Sequence, residues 1–247
     1  MLHDALQEIH NQILKIGTTH RIEICNHYFR TGPGGYGEGD IFLGITVPQA
    51  RKLAKAYKNI SKEDTLKLLN SRYHEERFIA LVILIDRFEK ADEQKTKKEI
   101  FDLYLRNIKK NVNSWDLIDV SSPKILGAYL YNFCKKKEIE SVLLKLAESK
   151  NLWENRASLL ATFYFISKHD DYSYSFKLGN LLLNHPHDLI HKALGWMLRE
   201  IYKRNGKLEV LKFIEKNREK LPKITIRYAL EKMSAGERIH WFGENRF

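Results

Sequence analysis

The sequence predicts an all-α protein: a HEAT-like helical-repeat solenoid with a concave basic groove. Three observations predict it. Apolar residues return at helical spacing along nearly the whole chain, strict apolar/polar alternation is almost absent, and one core pattern recurs at a near-constant interval. At 247 residues the chain is long enough for one elongated domain spanning 1–247 with no internal linker.

Each helix is set by its apolar stripe and by the breaks around it. Phe78, Leu81, Val82, Ile85 and Phe88 form one stripe, and Ile190, Ala193, Met197 and Ile201 another. Breaks are predicted at 31–40, 59–63, 110–114, around 149–151, at 184–187, at Asn205-Gly206 and at Leu221-Pro222, where glycine, proline and small polar residues interrupt the period. The recurring pattern is anchored on Arg77, Asp116, Arg156, Lys192 and Arg227, which are separated by 39, 40, 36 and 35 residues. That interval is near the roughly 40-residue period of HEAT and armadillo pairs, in which a unit buries its apolar face only by stacking on the next.

Composition narrows the partners. With 42 Lys+Arg against 31 Asp+Glu the formal charge is +11, which favours a polyanion if the excess gathers on one face. No apolar run approaches the roughly 20 residues of a membrane span. Met1, Leu2, His3 and Asp4 show no cationic start before an apolar stretch, so no secretory signal is expected and the protein is read as cytoplasmic and monomeric. Cys25 and Cys134 belong to no metal or disulfide pattern and are expected to be small buried hydrophobes. His185-Pro186-His187 has no further ligands at metal spacing and reads as a turn. The glycine-rich stretch from Thr31 to Asp40 lacks the order of a phosphate-binding loop. It reads as a connector, long enough to touch DNA.

Three segments stand out chemically. Between His187 and Lys203, residues Lys192, Trp196, Arg199 and Lys203 follow at steps of 4, 3 and 4, placing an indole among three cations beside the apolar stripe. Cations there would neutralise phosphates while the indole packs on sugar or base. In Asn113-Ser114-Trp115-Asp116-Leu117-Ile118-Asp119, Asn113 or Ser114 can cap a helix and Asp116 suits its first turn. Trp115 and Asp119, four apart, share a face. A carboxylate in a groove built for phosphate repels its own ligand, which marks Asp119 as catalytic. Finally, Trp153, Ala157, Leu160 and Tyr164 form a core stripe beside Arg156, whose guanidinium faces either the groove or a neighbouring repeat.

Taken with Lys192 to Glu200 and with Leu221-Pro222 ahead of Arg227 to Lys232, these segments resemble the AlkD-type alkylpurine DNA glycosylases, a HEAT-like-repeat family of alkylation repair, from about Phe42 to Met233. The resemblance implies a catalytic site made of Asp119 with the DNA-facing Trp115 and Trp196 lining the lesion, and a DNA-contacting Arg156. It implies excision of cationic N3- or N7-alkylated purines from duplex DNA without flipping the base, and no metal or organic cofactor. With Glu154-Asn155 ahead of it, Arg156 stands without the paired cations of the family pattern, and the 32–39 loop is longer than that pattern. The alternatives from other classes are a non-catalytic HEAT-like DNA-binding protein and a protein-binding scaffold.

Overall fold

The computed structural model describes residues 5–242, so Met1 to Asp4, on which the reading of the N-terminus rests, lie outside it. Among the described residues the fold is all helical; the one β-type contact is an isolated parallel bridge between Ile41 and Tyr73. None of these helices is long and apolar enough to cross a membrane. Contacts divide the chain into two compact units, Met1–Ser121 and Ser122–Phe247.

The first unit holds α1 (Ala5–Ile16), α2 (Thr19–Phe29), α3 (Val47–Ala56), α4 (Lys62–Leu69), α5 (His74–Lys90), α6 (Gln94–Asn107) and α7 (Trp115–Ser121). Of these, α2, α3 and α4 start where short polar side chains take the orphan amides of a first turn. Ser61 Oγ accepts from Asp64 N at 2.9 Å, and Thr46 forms a capping box with Gln49, whose Oε1 accepts from Thr46 N at 2.7 Å. α5 runs through the middle and packs on α3, α4, α6 and α7. Phe78, Leu81, Ile85 and Phe88 of its predicted stripe are buried, and Val82 is half-buried.

The second unit opens with a π-turn at Pro123–Gly127 and continues with α8 (Ala128–Phe133), α9 (Lys136–Ala147), α10 (Leu152–His169), α11 (Ser173–Leu181), α12 (Asp188–Tyr202), α13 (Lys207–Lys216), α14 (Lys223–Ala229) and α15 (Ala235–Phe242). Proline 123 has no N–H for the helix ladder, and the wider turn follows at once. α10 and α12 are the buried pair: Ala157, Leu160, Ala161 and Phe165 of the first, and Ile190, Ala193, Met197 and Ile201 of the second, are inaccessible or nearly so. Trp153 is also buried, as its place on the core stripe predicts. Cys25 is buried as expected; Cys134 is only half-buried, because it ends α8 as its C-cap.

The repeat shows itself in a turn that recurs before α5, α10 and α12. In each, the side chain at one position accepts the amide two residues on: Ser71 from Tyr73 at 3.0 Å, Ser149 from Asn151 at 3.0 Å, His185 from His187 at 3.1 Å. The side chain six residues on then donates back to that position's carbonyl: Arg77 at 3.1 Å, Asn155 at 2.8 Å, His191 at 2.6 Å. These bonds make Arg77, Asn155 and His191 equivalent. The spacing of the sequence had set Arg156 and Lys192 opposite Arg77, one residue out of register, because apolar periodicity tolerates a one-residue slip that hydrogen bonding does not. The turn also settles His185-Pro186-His187, where the imidazole of His185 accepts a backbone amide and its Nε2 lies 3.1 Å from Asn155 Oδ1.

α12 and α14 approach so closely that a β-carbon at Gly195 would fall 2.6 Å from Tyr228 Cβ and 2.7 Å from the Thr225 carbonyl oxygen. Helix propensity alone favours Gly195→Ala by up to about 1 kcal/mol. The steric term outweighs it, so G195A is expected to lower stability by about 1–3 kcal/mol, seen as a reduced midpoint in thermal unfolding followed by circular dichroism.

Candidate functional site

In the first unit, α7 carries Trp115, Asp116 and Asp119. The indole is half-buried and held on two sides, stacked on Phe29 at 5.1 Å with 14° between planes and edge-on to Tyr28 at 5.6 Å. Phe29 in turn packs on Phe42 and His74 at 4.7 and 5.1 Å. Trp115 is therefore fixed by packing while part of it stays open. Asp119, one turn further along the same helix, is also half-buried. Ser114 does not cap through its hydroxyl, which donates instead to Asp116 Oδ1 at 2.8 Å; its carbonyl accepts the first helical amide, from Ile118.

Asp116 does more than suit a helix dipole. Its Oδ2 lies 2.9 Å from Nε2 of His74, whose Nδ1 lies 2.7 Å from Asp40 Oδ2. A carboxylate on each nitrogen requires both to donate, so the ring is an imidazolium. It is 3% exposed. Burial pushes the ring toward neutrality, but the Asp116 and Asp40 carboxylates outweigh it and hold its pKa up at about 9. Burial likewise pushes Asp40 up, and the bonds and charges of His74 and Arg77 win, holding it below its ordinary value. Arg77 NH2 donates to Asp40 Oδ1 at 2.8 Å. Beside them the buried Glu75 accepts the amides of Leu43 at 2.9 Å and Gly44 at 2.8 Å. Gly44 adopts a φ of 84°, as the tight path of that loop requires.

The glycine-rich connector is thus tied down by charge at its exit: Asp40 on His74 and Arg77, then Leu43 and Gly44 on Glu75. None of Asp40, His74, Glu75 and Arg77 is a candidate from sequence alone. The available signal was the run His74-Glu75-Glu76-Arg77 opening an apolar helix, four polar residues on consecutive positions that cannot all face solvent once that helix is central; all four are buried.

In the second unit, α12 begins and ends where the sequence places it, with His187 as N-cap and Lys203 as C-cap. Lys192, Trp196 and Arg199 are half-buried and Lys203 is exposed, on a helix otherwise almost wholly buried. The predicted stripe exists, and Trp196 packs at 5.8 Å on Phe163. Its cations are nonetheless partnered. Lys192 bridges Asp188 at 2.8 Å, Arg199 pairs with Glu231 and with Glu200 at 3.4 Å, and Lys203 and Arg204 meet Glu200 at 3.0 and 3.2 Å. Burial pushes Glu200 up, yet Lys203 and Arg204 prevail and keep its pKa below the usual range. Arg156 is 4% exposed and its NH1 donates to the Leu189 carbonyl in the first turn of α12 at 2.5 Å. Asn155 closes the end of α9, donating to the carbonyls of Leu146, Ala147 and Ser149 at 3.0, 2.9 and 2.8 Å. A second cation there would forfeit that cap.

Formal charge divides unevenly between the units. Residues 1–121 carry 19 Lys+Arg against 17 Asp+Glu, or +2, and residues 122–247 carry 23 against 14, or +9. The surplus that favours a polyanion therefore lies almost entirely in the unit bearing Lys192, Trp196, Arg199 and Lys203.

The profile of a family described as DNA alkylation repair enzyme matches residues 9–233. A solved structure named as a predicted DNA alkylation repair enzyme from Enterococcus faecalis is similar at a TM-score of 0.65 and 16% identity, covering 89% of this chain and 97% of that one. At that identity the likeness is one of fold. A search of curated proteins gives no significant match.

The His74 clamp makes stability depend on pH with a definite sign. A folded pKa of about 9 against an ordinary 6.5 means its contribution is full below 6.5 and is lost as pH rises to about 9. Chemical denaturation across that range is expected to show stability falling for the wild type, and a flatter, lower profile for His74→Asn.

Proposed function

The chain belongs to the DNA alkylation repair enzyme family, and from that membership we propose that it is a DNA glycosylase hydrolysing the N-glycosidic bond of cationic N3- or N7-alkylpurines in duplex DNA without base flipping, acting as a monomer. The observation that supports this best is the division of labour on α7. Asp116 ties the start of the helix to His74 and bonds Ser114, and one turn beyond Trp115, which Phe29 and Tyr28 pack, Asp119 lies half-buried on the same helix.

Alkylation gives the purine a positive charge. When the C1′–N bond breaks, the bonding pair stays with the base, which leaves neutral, and the sugar becomes an oxocarbenium-like cation. Water adds at C1′ and gives up a proton. Asp119 stabilises the sugar cation and orients that water, while the Trp115 indole offers its π-face to the same charge. Electrostatic help of this kind is worth roughly 3–4 kcal/mol per well-placed group. That suffices for a bond already weakened by the lesion's own charge, and the chemistry calls for no metal or organic cofactor. Lys192, Arg199 and Lys203 engage phosphates, and Trp196 packs against the backbone they hold. Arg156 acts through α12, whose first turn it tethers; a phosphate contact of its own requires it to leave the Leu189 carbonyl.

Duplex DNA bearing N7-methylguanine tests the proposal through release of free base. Asp119→Asn is expected to slow release about a hundredfold to a thousandfold with DNA affinity retained. No release by the wild type, with salt-sensitive binding intact, would make the chain a non-catalytic DNA-binding protein; binding indifferent to salt would point to a scaffold.

Because Glu200 competes with DNA for the same cations, opposite effects are expected on either side of those ion pairs. In salt titrations followed by fluorescence anisotropy, Glu200→Gln should tighten non-specific DNA binding, and Lys203→Ala should weaken it and lower the salt slope by about 1.

A further inference from the structure

At the end of α5 away from the His74 clamp lies a cavity that the candidate site does not use. Arg87 follows His74 by 13 positions on that helix, which sets the two about 20 Å apart along its axis. The cavity measures about 530 Å³, within the roughly 300–1,000 Å³ of small-molecule sites, and is partly open to solvent. The last turns of α5, the loop from α3 to α4 and the first turns of α6 enclose it, all within the first unit.

Its lining narrows the chemistry. Leu84, Ile100 and Leu103 make an aliphatic floor. No aromatic ring lines it among the described residues, so it offers no stacking platform to a base. Both carboxylates in the wall are already engaged, Asp86 by Lys90 at 2.5 Å and Glu99 by Lys62 at 2.9 Å. Two cations remain. Lys58 is exposed and forms no ion pair among the described residues. Arg87 is half-buried, and its bonds go to neutral acceptors: NH1 donates to Thr65 Oγ1 at 2.9 Å, and NH2 to the carbonyls of Lys58, at 3.1 Å, and Ile60. Those bonds fix the guanidinium without neutralising it. Burial pushes its pKa down, and the charge of Asp86 opposes that only in part. A cation held partly out of water by neutral partners gains from an incoming anion. The aliphatic floor gains from carbon.

We propose that this cavity binds a small organic anion with an aliphatic body, its carboxylate or phosphate facing Lys58 and Arg87 and its carbon chain resting on Leu84, Ile100 and Leu103. A bare inorganic anion leaves the floor wet, and a neutral hydrocarbon leaves the guanidinium without a counter-ion. One molecule carrying both parts satisfies both. At that distance along α5 from His74, an occupant does not compete with DNA at Trp115 and Asp119.

Octanoate and octyl phosphate serve as probes against the full chain, with affinity read by calorimetry and location by amide shifts in a two-dimensional NMR spectrum. Both are expected to bind, with shifts concentrated at residues 58–62 and 84–103; the tighter of the two identifies the head group. Acetate and 1-octanol each lack one half of the ligand and should bind at least tenfold more weakly than octanoate. Lys58→Glu reverses an exposed charge in a loop and should weaken octanoate about tenfold. Thr96→Trp, at a half-buried position in the wall, should abolish binding by filling the space, with thermal melting to show that the fold survives. Should that variant not fold, Lys58→Glu decides alone. No binding of either anion at millimolar concentration to folded wild type, octanol binding as tightly as octanoate, or an unchanged affinity in Lys58→Glu overturns the proposal. Base release and DNA binding do not enter these measurements, so the cavity's assignment and the glycosylase reading fail or stand separately.

Discussion

A positive imidazolium sits almost wholly out of water with a carboxylate on each of its nitrogens, and the arrangement of the first unit depends on it. Burying a charge costs several kcal/mol unless its partners are close and its protons are all used, and here both conditions hold. His74 reaches Asp40 on one side and Asp116 on the other, while Arg77 takes the second oxygen of Asp40. Two cations and two anions therefore neutralise one another in the interior. Three stretches of chain far apart in sequence meet there: the end of the glycine-rich connector, the first turn of α5 and the first turn of α7. Glu75, adjacent to His74, adds the amides of Leu43 and Gly44. Removing one member leaves its partner charged and unpaired, so the cluster is cooperative.

The second unit uses charge differently. Around Glu200, itself buried, three partly exposed cations meet one carboxylate. Their outer ends reach water, where screening and lost side-chain freedom reduce what each pair adds to stability. They gather Arg199, Lys203 and Arg204 around one carboxylate, which is the set of cations that the proposed DNA contact would draw on. The clamp in the first unit instead pairs each of its charges in the interior.

Much of this was legible in the sequence. The limits of α12 followed from Ile190, Ala193, Met197 and Ile201 together with the breaks at 184–187 and Asn205-Gly206, since a 3.6-residue period reports directly which face is buried. The stripe of Lys192, Trp196, Arg199 and Lys203 followed from the same geometry. What periodicity cannot report is a distant partner. The pairing of Glu200 with Lys203 and Arg204, three and four positions on along one helix, is local and legible, but nothing local in Arg199 indicates that Glu231 will meet it, and nothing local in Asp116 distinguishes a first-turn anion from a ligand of His74. The break at Gly17 was equally hidden. A single glycine between two helical stretches looks tolerable until the Leu43 carbonyl is found 2.1 Å from where its β-carbon would be. The register of the repeat failed by one residue for a related reason: Arg77, Asn155 and His191 share a hydrogen-bonding role but no chemical type.

The contrast between Asp116 and Asp119 shows how one short helix makes two unlike groups from one residue type. The two carboxylates are three positions apart, close enough that they would repel if both were exposed to the same low-dielectric surroundings. The imidazolium and the Ser114 hydroxyl absorb the charge of the first, so the second meets less repulsion than two bare carboxylates would impose. The proposed glycosylase asks Asp119 to meet a developing sugar cation, and an aspartate three positions away burdens that site least when its charge is paired, as that of Asp116 is by His74.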